Sequence, residues 1–371
     1  MRKALFILTM TALALTVSAQ GKSKKWYDHI KFSGYGMLQY QYTDKYSNKT
    51  VTNAEGTPET VAVKDHDNTF NLRLARLILD GRISDFDWRV QIQATNKKGP
   101  GEPTVQLVDL YTEWAKYKEV KVRVGQFKRA FTFENPTHPI TQGWYSNANV
   151  INALSGFGDR TGEKSSGGRD IGIQVQGDLF PIDGGRRLLH YQVGLYNGEG
   201  INSADKDQRK DLIGGAWVMP VKGVRVGAFG WSGSRAGIGE KKRYALSAEY
   251  DKDQYTFRAE YLHSYGLGSD ASLGKKADGW YVFGIVPVIE SKLHAKARYQ
   301  CYRPTKTMDG IDKGDGTLVG GAKTMYEVGA NYFFTPTLQL NVEYARVNDR
   351  SIVNPDKRNY NFADVELDFR F

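Results

Sequence analysis

The chain has 371 residues, a formal net charge of +10, 22 Tyr, 40 Gly and a single Cys. That length exceeds one ordinary soluble core and suits one large closed barrel. The lone Cys301 excludes an intrachain disulfide, and past the first residues no apolar run nears the ~20 residues of a spanning helix.

In chain order, the first element is a signal peptide over residues 1–19. Arg2 and Lys3 form its basic start, Ala4 to Thr16 its apolar stretch, and Val17-Ser18-Ala19 its small-residue cleavage site. Residues 20–371 then form one domain. From Lys31 onward short segments alternate apolar and polar side chains, the two-residue period of a strand with unlike faces. Phe70 to Leu79 changes phase near Ala75, which predicts a bulge. In Asp85 to Thr95, Phe86, Trp88, Val90, Ile92 and Ala94 oppose Asp87, Arg89, Gln91 and Gln93. In Val120 to Gly125 three valines alternate with Lys121 and Arg123, and Lys128 and Arg129 follow. Gln254 to His263 sets Arg258 and Glu260 against aromatics, and Leu293 to Cys301 sets Lys296 and Arg298 against alanines and Tyr299. Leu212 to Met219 and Trp280 to Ile289 are apolar on both faces. The last segment, Asn359 to Phe371, places Val365, Leu367, Phe369 and Phe371 on one face and Asp364, Glu366, Asp368 and Arg370 on the other.

About sixteen such segments are readable. Their connections alternate long and short, with long ones at residues 44–69, 96–103, 132–168, 198–210, 233–241, 266–277, 303–322 and 348–358. An all-β transmembrane antiparallel barrel has this form: lipid outside, water inside, short periplasmic turns, long external loops and aromatic girdles. The third connection, 132–168, carries Trp144, Val150, Ile151 and Leu154, which need an apolar partner. It is expected to fold into the lumen and form a constriction.

VRVGQFKRAFTFEN (Val122 to Asn135), YQVGLYNGEG (Tyr191 to Gly200), DLIGGAWVMP (Asp211 to Pro220) and the ending VELDFRF resemble the phosphate-selective porin O and P family, common in Bacteroidetes and found in Pseudomonas. The resemblance implies a sixteen-stranded barrel, usually trimeric, that passes anions.

A pore of this kind needs a wet path and a field that prefers one sign of ion. Lys121, Arg123, Lys128, Arg129, Arg258, Lys296 and Arg298 are the expected pore and anion-binding residues, with Arg73, Arg89 and Arg243 also in lumen phase. Acids in the same phase, among them Asp87, Asp109, Glu113, Asp178, Glu249, Glu260, Glu327 and Glu343, can pair with them across strands, and no unbroken arginine ladder is traceable. The expectation is therefore general diffusion of small anionic or neutral hydrophilic solutes, leaning to anions such as phosphate. Lipid and lipopolysaccharide of a Gram-negative outer membrane are expected partners, as is a homotrimer, and no nucleic acid. The alternative is a plugged barrel acting as a surface-binding adhesin. The six histidines lack metal-ligand spacing, and Asp159 to Ser166 lacks the spacing of a phosphate loop. No cofactor, metal site or catalytic set is expected.

Overall fold

A computed structural model describes residues 30–96, 104–163, 167–312 and 318–371. The expected signal peptide lies outside the described residues.

Sixteen antiparallel strands close into one barrel. In chain order they are β1 (Lys31–Thr43), β2 (Asp67–Ile83), β3 (Phe86–Ala94), β4 (Val105–Trp114), β5 (Lys121–Lys128) and β6 (Arg169–Ile182). Next come β7 (Arg186–Tyr196), β8 (Asp211–Val218), β9 (Val224–Arg235), β10 (Gly239–Lys252) and β11 (Tyr255–Tyr265). The last are β12 (Lys276–Ile289), β13 (Leu293–Arg303), β14 (Lys323–Thr335), β15 (Leu338–Asp349) and β16 (Asn359–Arg370). Each strand pairs with its neighbours in sequence, and β16 pairs with β1, so no edge is left open.

The alternation in the sequence sets the two faces. In β15, Val342 and Tyr344 are exposed on the outer wall, whereas Gln339, Asn341 and Glu343 are buried toward the lumen. β16 repeats this with Val365 and Phe369 outside and Asp364, Glu366 and Asp368 inside. The bulge in β2 falls at Arg73, where the register against β1 shifts between Met37 and Leu38. The extra residue turns Leu74 and Arg76 inward and leaves Leu72 and Leu77 outside.

The periplasmic turns are short. Between β10 and β11, Asp253 and Gln254 both adopt positive φ, 54° and 70°, a geometry whose twist matches that of the strands it joins. Three external connections differ from expectation. The first holds its own ribbon, Tyr46–Thr52 paired with Pro58–Lys64, and the seventh a shorter one, Ile311–Asp312 paired with Leu318–Val319. The fifth is only the turn 236–238, because β9 and β10 stay paired out to Arg235 and Gly239. Lys241 and Lys242, read as loop residues, therefore belong to a strand, with Lys241 buried inside the barrel and Lys242 exposed outside.

The largest apolar cluster lies within the barrel. It joins Phe131, Phe133, Trp144, Val150, Ile151 and Leu154 of the third connection to inward residues of β7 to β12, including Tyr196, Ile213, Trp231, Leu262 and Phe283. This explains the strands that read as apolar on both faces: the inner faces of β8 and β12 meet a protein segment instead of water.

Candidate functional site: the lumen and its inward loop

The connection 129–168 enters from Lys128 at the end of β5. It forms two short helical turns, α1 (Pro139–Gln142) and α2 (Asn149–Leu154), and leaves into β6. Pro139 starts α1, and Gly143 ends it in a left-handed conformation (φ 74°). Wall side chains hold the loop backbone at many points. Glu260 Oε1 accepts the N–H groups of Phe133 and Glu134 at 3.0 and 2.8 Å. Lys296 Nζ donates to the Gly143 carbonyl at 2.6 Å, and Arg298 donates to that of Ser146 at 3.0 Å. Glu343 accepts from the Tyr145 N–H at 2.8 Å, Gln300 accepts from that of Asn149 at 2.6 Å, and Arg243 donates to the Leu154 carbonyl at 2.8 Å. Short loop segments cannot satisfy their own amides, so these side chains do what a sheet ladder would otherwise do.

A buried ionic cluster fixes the loop base. Arg129 reaches Glu163 and Asp170, both at 2.7 Å; Lys241 reaches Asp211 at 3.0 Å; Arg243 grips Asp159 at 2.5 Å. All three cations sit over the Trp231 ring, 4.6 to 4.9 Å from its centre. Asp159, singled out in the sequence within a discarded phosphate-loop pattern, is thus an anchor for Arg243.

The expected pore residues separate into two groups. Arg129, Arg258, Lys296 and Arg298 are buried, and each is paired with carboxylate: Arg258 with Glu249 at 2.5 Å, Lys296 with Glu343 at 2.6 Å, Arg298 with Glu327 at 2.6 Å. Their donors serve the loop and its surroundings. Lys121, Arg123 and Lys128 border open cavities. Arg123 pairs with Glu113 at 2.8 Å and stacks on Tyr111. Lys128 donates to the backbone carbonyls of Asn135 and Thr137 and, among the described residues, makes no ion pair. Lys121 likewise makes none among the described residues.

Three cavities follow one another through the barrel. The external one, about 500 Å³, is lined by Arg73, Arg76 and Arg169 with carboxamides such as Gln93 and Gln106, and no carboxylate is among its described lining residues. The central one, about 310 Å³, holds Arg89, Arg123, Lys128, Arg169 and Arg225, with Asp109 as the one carboxylate among its described lining residues. The periplasmic one, about 710 Å³, holds Lys118, Lys121, Arg186, Lys222 and Arg225 with Asp178, Glu249 and Asp251. Arg169 borders the first two cavities and Arg225 the last two. Arg76 bonds to Gln93 and Tyr35 instead of a carboxylate. His138, on the loop beside Tyr35, has its pKa pushed down to about 3 by burial and then by Lys128, Arg76, Arg89 and Arg169.

Sequence reading did not single out Arg76, Arg169 or Arg225. The signal for Arg76 was the bulge, since one added residue reverses which side chains face the lumen. Arg225 lies between Val224 and Val226, the same alternation that marked Arg123. Arg169 follows two glycines and carries no periodic signal; it faces the lumen through its paired bonds to Asp109, at 2.6 and 3.1 Å.

Among solved structures, the fold is similar to that of the anion-selective porin from Comamonas acidovorans (TM-score 0.59, 10% identity, covering 92% of this chain and 99% of that one). It is similar also to Pseudomonas putida OprB at high pH (TM-score 0.63, 10% identity, 92% and 94% covered). A third is Salmonella typhi OmpF in complex with daunomycin (TM-score 0.60, 12% identity, 92% and 97% covered). At such identities the likeness concerns the fold. No curated protein matches the chain. Residues 53–234, which span β2 to β9 and the inward loop, match the family described as phosphate-selective porin O and P. With that match and a closed sixteen-stranded barrel around a cavity-bearing lumen, the chain is an outer-membrane porin whose residues 53–234 resemble the phosphate-selective porin O and P family.

Proposed function

We propose that the chain is a passive channel for small hydrophilic solutes that favours anions, with the loop 129–168 as its constriction. The observation that carries this reading is the central cavity, whose described lining includes Arg89, Arg123, Lys128, Arg169 and Arg225 but only one carboxylate, Asp109, while the partners of Arg89, Arg123 and Arg225, namely Asp80, Glu113 and Glu249, are not part of that lining. In a narrow wet passage with low-dielectric walls, such an imbalance attracts counter-ions and repels cations. The arginines stay charged at every working pH, and Lys128 adds a side chain that pairs with no carboxylate among the described residues.

The preference is general, without strict phosphate selection. Phosphate recognition works best with free arginine forks, and here both Arg123 and Arg169 already turn a fork toward a carboxylate. Assembly as a homotrimer belongs to the same proposal. An apolar groove on the outer wall, formed by Leu38, Tyr40, Phe70, Leu72, Val365 and Leu367, supplies a dry surface for contact between copies, and chemical cross-linking in native membranes tests it.

The experiment is planar-bilayer recording across a salt gradient. The reversal potential is expected on the anion side, with chloride and phosphate both carrying current. A cation-side potential would remove the anion reading and leave the barrel, and absence of conductance would remove the channel.

A further inference from the structure

The outer wall carries a charged feature that the channel does not use. The register places Lys242, Tyr265 and Lys276 side by side across β10, β11 and β12. All three are exposed and on the outward face, next to the external loops. The next row toward the membrane centre is Tyr244, His263, Asp278 and Arg303, and below it lie Leu246, Tyr261, Trp280 and Cys301. Asp278 is buried and occupied: it accepts two bonds from Arg303, at 2.7 and 2.6 Å, and one from Tyr261 at 3.2 Å. Arg303 also stacks on Trp280, 5.1 Å from its centre. No carboxylate among the described residues pairs with Lys242 or Lys276, and the exposed Glu240 lies one step farther out on β10. Lys306 is exposed just beyond β13, and the His263 Nδ1 has no hydrogen-bond partner among the described residues.

Cations above an aromatic row, with apolar wall beneath, match a lipid with an anionic head and acyl tails. Aromatic side chains mark the interface, and basic groups at head-group height gain by meeting phosphates. The geometry points to a binding site for a phosphorylated glycolipid of the outer leaflet on the outward face of β10 to β13. Lys242 and Lys276 take its phosphates, Tyr265 and Tyr244 cover the sugar, and Leu246 and Trp280 receive the chains. The site rests on the outer-membrane placement alone and is independent of the anion preference of the pore.

The test is native mass spectrometry of the detergent-solubilised protein with diphosphoryl lipid A, comparing wild type with the double variant Lys242→Gln/Lys276→Gln. About ten- to thirty-fold weaker binding is expected for the variant, with an unchanged reversal potential and unchanged heat-modifiable gel migration. Lys276→Gln alone keeps the test available if the double variant does not fold. Equal lipid binding by variant and wild type would overturn the site. So would equal binding of dephosphorylated lipid A, and so would displacement by inorganic phosphate, which would make it a free-anion site.

Discussion

Neighbouring basic residues at the loop entry have opposite fates. Lys128 faces the central cavity and bonds only to backbone carbonyls among the described residues, whereas the Arg129 side chain is buried between Glu163 and Asp170. Lys128→Glu should move the reversal potential toward the cation side by several-fold in permeability ratio while the barrel still folds. Arg129→Gln should leave selectivity near that of the wild type but lower stability by ~3–5 kcal/mol, because it removes the cation held between two buried carboxylates. Denaturant unfolding paired with bilayer recording separates the two outcomes, and interchanged phenotypes would refute the placement. His138 gives the pH test. Its pKa is lowered from 6.5 to about 3, by burial first and by the surrounding cations next. The folded state therefore holds this ring neutral while the unfolded chain protonates it. The stability it contributes is whole above its unfolded value of 6.5 and is lost as pH falls through 6.5 toward 3. Thermal scans between pH 7 and 4 should slope less in His138→Gln than in the wild type.

The inward loop packs against the inner wall of the barrel from β7 to β12. Its placement was legible in outline, because Trp144, Val150, Ile151 and Leu154 form an apolar set too large for an exposed loop. The strand count, the alternation of faces and the β2 bulge were also legible, since each follows from a local period of two. The roles of Arg258, Lys296 and Arg298 were not. A two-residue period assigns a face, but it cannot tell a lumen filled with water from one filled by a loop thirty or more residues away in sequence. Two such side chains, Lys296 and Arg298, donate to loop carbonyls, while the carboxylates Glu260 and Glu343 accept loop N–H groups. Glu260→Ala takes the acceptor from two loop N–H groups, at a cost of ~1–3 kcal/mol for each that stays buried and unpaired. Limited proteolysis should then cut within 132–163, and single-channel current should become larger and noisier. A variant as protease-resistant and as quiet as the wild type would show that Glu260 does not hold the loop.

Closure of the whole barrel depends on the seam between its ends. β16 lies against β1 from Thr43–Phe362 to Tyr35–Arg370, and Phe371 continues the seam with backbone bonds to Gly34 of 2.9 and 3.0 Å. The two glycines of β1 have a steric role there. A Cβ on Gly34 would lie 2.5 Å from the Phe371 ring, and one on Gly36 would lie 2.4 Å from the Phe369 ring. The closing aromatics thus lie close against bare backbone on the lipid side, where a side chain would hold them off and splay the seam. A sheet in lipid cannot tolerate that, because every unpaired amide at its edge lacks water to replace the lost bond. Gly36→Val should therefore sharply reduce the fraction of refolded protein that shows the compact, heat-modifiable band. Phe369→Ala combined with Gly36→Val should recover part of it by removing the collision. Full folding of the single variant would mean that the rings have room elsewhere, and failure of the double variant to improve would place the damage in the β1 backbone itself.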